Sequence, residues 1–251
     1  MSVVLSLLIN LCATAAILNI GRFAEQSAFS VCSMKYINRQ LMFQVLLFGV
    51  ALLVLGAVYF VNSPNLTLFF SPGTISAPAA QVWWLGIAEG ESWITIGAGF
   101  GLIITLTTTA FIYLKFRKTG SSLFQIVPFI PWILLISFAN AFSEELIYRI
   151  GVIVPLAGSI ERAYIQLLSA VSFGIPHLCG MPNGLVGALM AGFLGWLLAK
   201  SVLETNGIFW AWSIHFFQDI VIFSAFVMTE VHDSINLPLG ECVIPQQESA
   251  K

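Results

Sequence analysis

Charge is what this sequence has least of. Ten Lys or Arg and twelve Asp or Glu make up 9% of its 251 residues, where soluble domains carry roughly 25%. That scarcity excludes an ordinary soluble domain. The net charge of −2 and the lack of a basic stripe also argue against a nucleic-acid partner. Cysteine is sparse too: Cys12, Cys32, Cys179 and Cys242 show no CxxC or other metal spacing, so reduced thiols are expected rather than a disulfide framework. The N-terminus has no basic n-region and no small-residue cleavage site, and reads as a retained first span, not a signal peptide. Two catalytic signatures are missing. Without G-x-S-x-G a serine-nucleophile hydrolase has no support, and without HExxH neither has the usual zinc-protease helix.

What is present is apolar. Hydrophobic residues make up 58% of the chain, and its mean hydropathy is +0.93. A helix crosses the hydrocarbon core with about 20 apolar residues, which predicts spans near 3–20, 41–62, 94–114, 132–157, 164–178, 185–203 and 207–229. The proline-broken segment 123–131 is too short to cross alone and reads as interfacial or re-entrant. The expectation is an all-α, polytopic transmembrane helix bundle of seven or eight spans. Residues 1–122 supply three N-terminal spans, 123–230 the core that holds the polar motifs, and 231–251 a polar tail that includes His232. Arg22, Lys35, Arg39, Lys115, Arg117 and Lys118 fall on one side and mark it as cytoplasmic; Arg162 and Lys200 are the minority on the other. The loop 63–93 has no basic residue, carries a sequon at Asn65, and is expected along the interface. Small residues at helical spacing (Gly97 with Gly101; Gly187, Ala191 and Gly195) predict close helix packing within the chain.

The informative residues are the charges buried in apolar runs. Ionisable groups at mid-bilayer cost at least ~2.5–3.5 kcal/mol each and usually face the bundle interior at a functional site. In "FANAFSEELIYRIGVIVPL", Glu144 lies about 18 Å along its span. Glu145 and Arg149 are four apart and can pair. Glu144, rotated by about 100°, stacks over Tyr148 and is left free for work. Two other spans offer partners: Phe173 four residues before His177 in "SFGIPHL", and His215 four before Asp219 in "WSIHFFQDI". A carboxylate beside an imidazole can hold a water and take its proton, while a second imidazole can hold the oxyanion of an attacked amide. This describes a hydrolase with no covalent intermediate. A zinc site from Glu144, His177 and His215 stays open on the residues alone, since His₂Glu is a known catalytic set. Proton or ion transport uses similar groups, but no broken helix pair in repeated halves is evident.

"EELIYR" fits EExxxR, "FGIPH" fits FxxxH and "HFFQD" fits HxxxN/D. That ordered trio resembles the CAAX-protease and bacteriocin-processing family of intramembrane glutamic proteases (CPBP or Abi). The resemblance covers about residues 125–230. It implies Glu144 as the general base assisted by His177, His215 and Asp219 as the oxyanion-stabilising pair, and Glu145, Arg149 and Phe173 as supports, with no cofactor required and zinc not excluded. Characterised prenyl-protein relatives carry Asn at the last position. Asp219 stands there in this chain and is expected to orient His215 as a donor. The resemblance further implies an endopeptidase acting on a membrane-associated peptide or protein in a lipid bilayer. The compact length points to a prokaryotic plasma membrane, and the alternative is a non-catalytic scaffold or regulator of the same fold.

Overall fold

The computed structural model describes residues 2–116, 123–179 and 184–236. Arg117 and Lys118 of the basic side, Cys242 and most of the polar tail lie outside these. Eight α-helices run through the described residues: α1 (Ser2–Gln26), α2 (Lys35–Phe69), α3 (Trp93–Phe116), α4 (Ile130–Glu145), α5 (Gly151–Leu156), α6 (Arg162–Gly174), α7 (Gly184–Thr205) and α8 (Phe209–Asn236). There is no β-strand among them, only isolated bridges. The chain is an all-α bundle and an integral, multi-pass membrane protein: six stretches are each long and apolar enough to cross, Val3–Gln26, Lys35–Asn62, Trp93–Leu114, Phe124–Leu156, Gly184–Thr205 and Phe209–His232. Counting α6 with its 3₁₀ continuation to Cys179 as another keeps the expected seven or eight.

Several boundaries differ from expectation for identifiable reasons. The segment 123–131 is no separate re-entrant piece. Leu123–Phe129 forms a 3₁₀ lead-in that continues into α4, because Pro131 sits in the first turn of α4, where its missing N–H costs nothing. The loop expected from residue 63 starts only after Phe69. Helix α2 breaks at Asn62 (φ −157°, ψ 73°) and resumes, with the Asn62 side chain accepting from the Asn65 N–H at 3.3 Å and Pro64 in the new first turn, the arrangement of a helix N-cap. The amide of Asn65 then donates to the carbonyls of Val154 and Ala157 at the end of α5. His232 belongs to α8, not to a loose tail.

Lipid tails are as apolar as leucine, so packing and hydrogen bonds hold such a bundle together. A Cβ at Gly97 would run into the Trp210 indole, and one at Gly101 would meet Ile214 at 3.5 Å, which brings α3 onto α8. On the other side α6 lies close against α7. There a Cβ at Gly174 would sit 2.7 Å from the Ala188 carbonyl oxygen, and one at Gly195 would be 3.1 Å from Phe173 Cβ. Both small-residue stripes are therefore used within the chain. The loop after α2 folds back over the α7–α8 junction. Thr74 N–H donates to the Thr205 carbonyl and Ile208 N–H to that of Ser71. Gly73, at φ +74°, leaves no room for a side chain against Gly207. Lys200, unexpected on this side, is buried in an ion pair with Glu204, and Glu204 also accepts from the fully buried Trp93 indole at 2.8 Å.

Candidate functional site

The site is built on the rod from α4 to α5. Between them Leu146–Ile150 is a π-helical turn with every residue buried, a wide turn that recurs at functional sites. Here Glu145 Oε2 lies 3.0 Å from Arg149 Nε, and both side chains are 0% exposed. Neither charge could remain alone at such a position, because an isolated buried ion costs several kcal/mol. The terminal nitrogens of Arg149 have no hydrogen-bond acceptor among the described residues; the guanidinium lies over the Phe173 ring instead, 4.4 Å from its centroid, and a ring face attracts a cation.

Glu145 does more than pair with Arg149. Its Oε1 is 2.8 Å from His215 Nδ1, while Glu144 Oε2 is 3.5 Å from His215 Nε2. The two carboxylates do not point apart as expected: one imidazole from α8 lies between them and faces both. Asp219, one turn further along α8, has Oδ1 3.7 Å from the same Nε2. With Nδ1 donating to Glu145, His215 presents Nε2 to the space shared by Glu144 and Asp219. Glu145, His215 and Asp219 are buried, and Glu144 is 15% exposed, the most open of the three carboxylates.

His177 arrives differently. It lies on the 3₁₀ segment Ile175–Cys179 that follows α6, and its Nδ1 is 2.7 Å from the carbonyl oxygen of Phe173. Pro176 has no N–H to give that carbonyl, three residues back, and the imidazole takes the place. A ring that donates from Nδ1 leaves Nε2 as the acceptor. Among the described residues no hydrogen bond or ion pair joins His177 directly to Glu144. The Phe173 ring instead links the elements, with centroids 4.8 Å from His177, 5.6 Å from His215 and 5.4 Å from Tyr148.

Two residues at the site were not singled out from the sequence. Asn140 Nδ2 donates to Asp219 Oδ2 at 3.0 Å, and Gln44 Nε2 donates to Asn140 Oδ1 at 3.0 Å. Asn140 carried a signal, since it stands four residues before Glu144 in an apolar run and so shares its face. Gln44 carried none, because nothing local ties α2 to α4. Among the described residues no group of three or more His, Cys, Asp or Glu side chains is arranged to hold a metal ion.

Residues 126–221 match the family model described as type II CAAX prenyl endopeptidase Rce1-like. The match covers the π turn and all three sequence motifs, and bears out the resemblance read from them. No curated protein and no solved structure matches the chain.

Proposed function

From that match, which supports a protease of the CAAX intramembrane type, we propose that the chain is a glutamate-dependent endopeptidase. It hydrolyses a peptide bond of a membrane-associated substrate with a water activated at Glu144. The observation that carries this reading is the single imidazole of His215 set between Glu144 and Glu145 with Asp219 beside it. Glu144, the most open carboxylate, takes a proton from a water as the water oxygen bonds to the scissile carbonyl carbon. His177, whose Nδ1 is held by the Phe173 carbonyl, accepts from the same water through Nε2. The carbonyl oxygen, now an oxyanion, accepts from Nε2–H of His215, which acts as an imidazolium and so donates from both ring nitrogens, its direction fixed by Glu145 at Nδ1 and by Asp219. The proton held by Glu144 then passes to the amide nitrogen as the C–N bond breaks, and a new carboxylate and amine leave. Donors held in place where charge develops supply much of such an enzyme's acceleration, and general base catalysis contributes about 10²–10⁴-fold.

The experiment compares new peptide termini in membranes of deletion cells expressing the wild-type chain or Glu144→Gln. The expected result is a set of termini that appears only with the wild type, at equal protein levels. Identical termini from both proteins overturn the reading and leave the scaffold alternative, for which Glu144→Gln complements the deletion.

A further inference from the structure

Three buried polar side chains from three helices are joined by hydrogen bonds, and two of them, Gln44 and Asn140, lie outside the family motifs. Gln44 on α2, Asn140 on α4 and Asp219 on α8 are 4%, 8% and 5% exposed. Their two hydrogen bonds, each 3.0 Å, run in one direction, and chemistry sets that direction. A carboxylate only accepts, so Asn140 must turn its NH₂ toward Asp219. Its oxygen then faces Gln44, and only the Gln44 NH₂ can meet it. The consequence appears at the far end, where Gln44 Oε1 is buried with no hydrogen-bond partner. A buried amide free to choose would turn to satisfy both its atoms. This one is held by the acceptor two links away. At the other end the chain reaches the site itself, since the second oxygen of Asp219 lies 3.7 Å from His215 Nε2.

We propose that Gln44 and Asn140 are positioning residues for the hydrolysis described above. They hold the Asp219 carboxylate so that it aims His215 Nε2 at the developing oxyanion. Helix α2, which lies outside the matched residues 126–221, is then part of the catalytic unit and not only a membrane anchor for it. The role rests on the protease reading; the geometry does not. Asp219 is what makes the chain directional, because a carboxylate requires a donor opposite it and Asn140 is that donor.

The test is an exchange of the two side chains. In Asn140→Asp alone, two carboxylates oppose each other at hydrogen-bond distance. In Asn140→Asp with Asp219→Asn, the amide at 219 donates to the carboxylate at 140, whose other oxygen still accepts from Gln44. The purified full chain in detergent is followed by thermal unfolding and by cleavage of the substrate that the termini comparison names. The single Asn140→Asp variant is expected to lower the unfolding midpoint by about 5 °C and to lower kcat at least tenfold. The exchanged pair is expected to recover the midpoint to within about 2 °C. Gln44→Met, which keeps the volume and loses the donor, is expected to unfold near the wild-type midpoint with kcat about tenfold lower, equivalent to about 1.4 kcal/mol, and KM unchanged. A wild-type kcat in Gln44→Met overturns the positioning role by itself. No recovery in the exchanged pair overturns the chain of bonds. A wild type that cleaves nothing fails the protease reading, and the positioning role with it, while the unfolding midpoints still decide whether the three side chains are joined.

Discussion

At the scale of single residues, the site shows how a charge is kept in an apolar interior: each one is given a partner that has a second use. Glu145 holds Arg149 with one oxygen and His215 with the other, and Arg149 in turn lies over Phe173. Removing one member of a buried pair strands the other at a cost of about 3–5 kcal/mol. Glu145→Ala and Arg149→Ala are therefore expected to accumulate at well below wild-type levels in membranes, as an immunoblot would read. Replacing both members by apolar residues of similar volume is often neutral for folding. The double variant Glu145→Met with Arg149→Met is expected to recover abundance yet not to cleave, since His215 then has no acceptor at Nδ1. Normal abundance of both single variants would contradict the pairing. Recovered cleavage in the double variant would reduce Glu145 to a counter-charge.

At the scale of elements, what the sequence made legible was whatever repeats every three or four residues. Glu145 with Arg149, Phe173 with His177 and His215 with Asp219 are each four apart, so one helical turn brings them together and their motifs can be read without a fold. The features that escaped depend on departures from the regular helix or on distant partners. The π turn at Leu146–Ile150 has no composition of its own. The continuation of α2 beyond Asn62 depends on a side-chain cap inside a Pro- and Asn-containing stretch that reads as loop. Gln44 meets Asn140 across 96 residues, beyond any local pattern. The small-residue stripe on α7 was legible as a packing face, but its service to the site was not: Gly195 sits against Phe173 and Gly174 against Ala188, so the approach of α6 to α7 sets where the Phe173 ring and, four residues on, His177 stand. Gly174→Val would force its side chain onto the Ala188 carbonyl. Overpacking of this kind costs about 1–3 kcal/mol, and the expected outcome is a lower unfolding midpoint in detergent together with a loss of cleavage. An unchanged midpoint would mean that α6 and α7 are not held as closely as the backbone indicates.

At the scale of the whole molecule, the N-terminal helices and the motif-bearing core are tied together at both ends of the bundle. At one end, Glu230 of α8 accepts from the Tyr36 N–H in the first turn of α2, a carboxylate placed where a helix N-terminus favours negative charge. At the other end the loop between α2 and α3 is fastened to α7 through Lys200 and Glu204. Lys200 Nζ donates to the Ala80 carbonyl and Glu204 accepts from both Ala80 N–H and the Trp93 indole. This pair therefore orders some twenty residues of irregular chain over the junction that leads into α8 and His215. A buried ion pair is weak evidence of stabilisation, because desolvation offsets most of the attraction, and its use here is in fixing where the loop lies. The two roles separate experimentally. Glu204→Gln leaves Lys200 buried without its counter-charge and is expected to destabilise the fold by about 3 kcal/mol or more. Lys200→Met with Glu204→Met removes both charges and is expected to unfold near the wild-type midpoint. Its loop, having lost the bonds to Ala80 and Trp93, should become sensitive to added protease between Pro72 and Trp93, which mass spectrometry of the fragments would locate. A loop as resistant as in the wild type would show that the apolar burial of Trp93, Ala77 and Ile87 holds it without the ion pair, and would leave Lys200 and Glu204 with no role in ordering it.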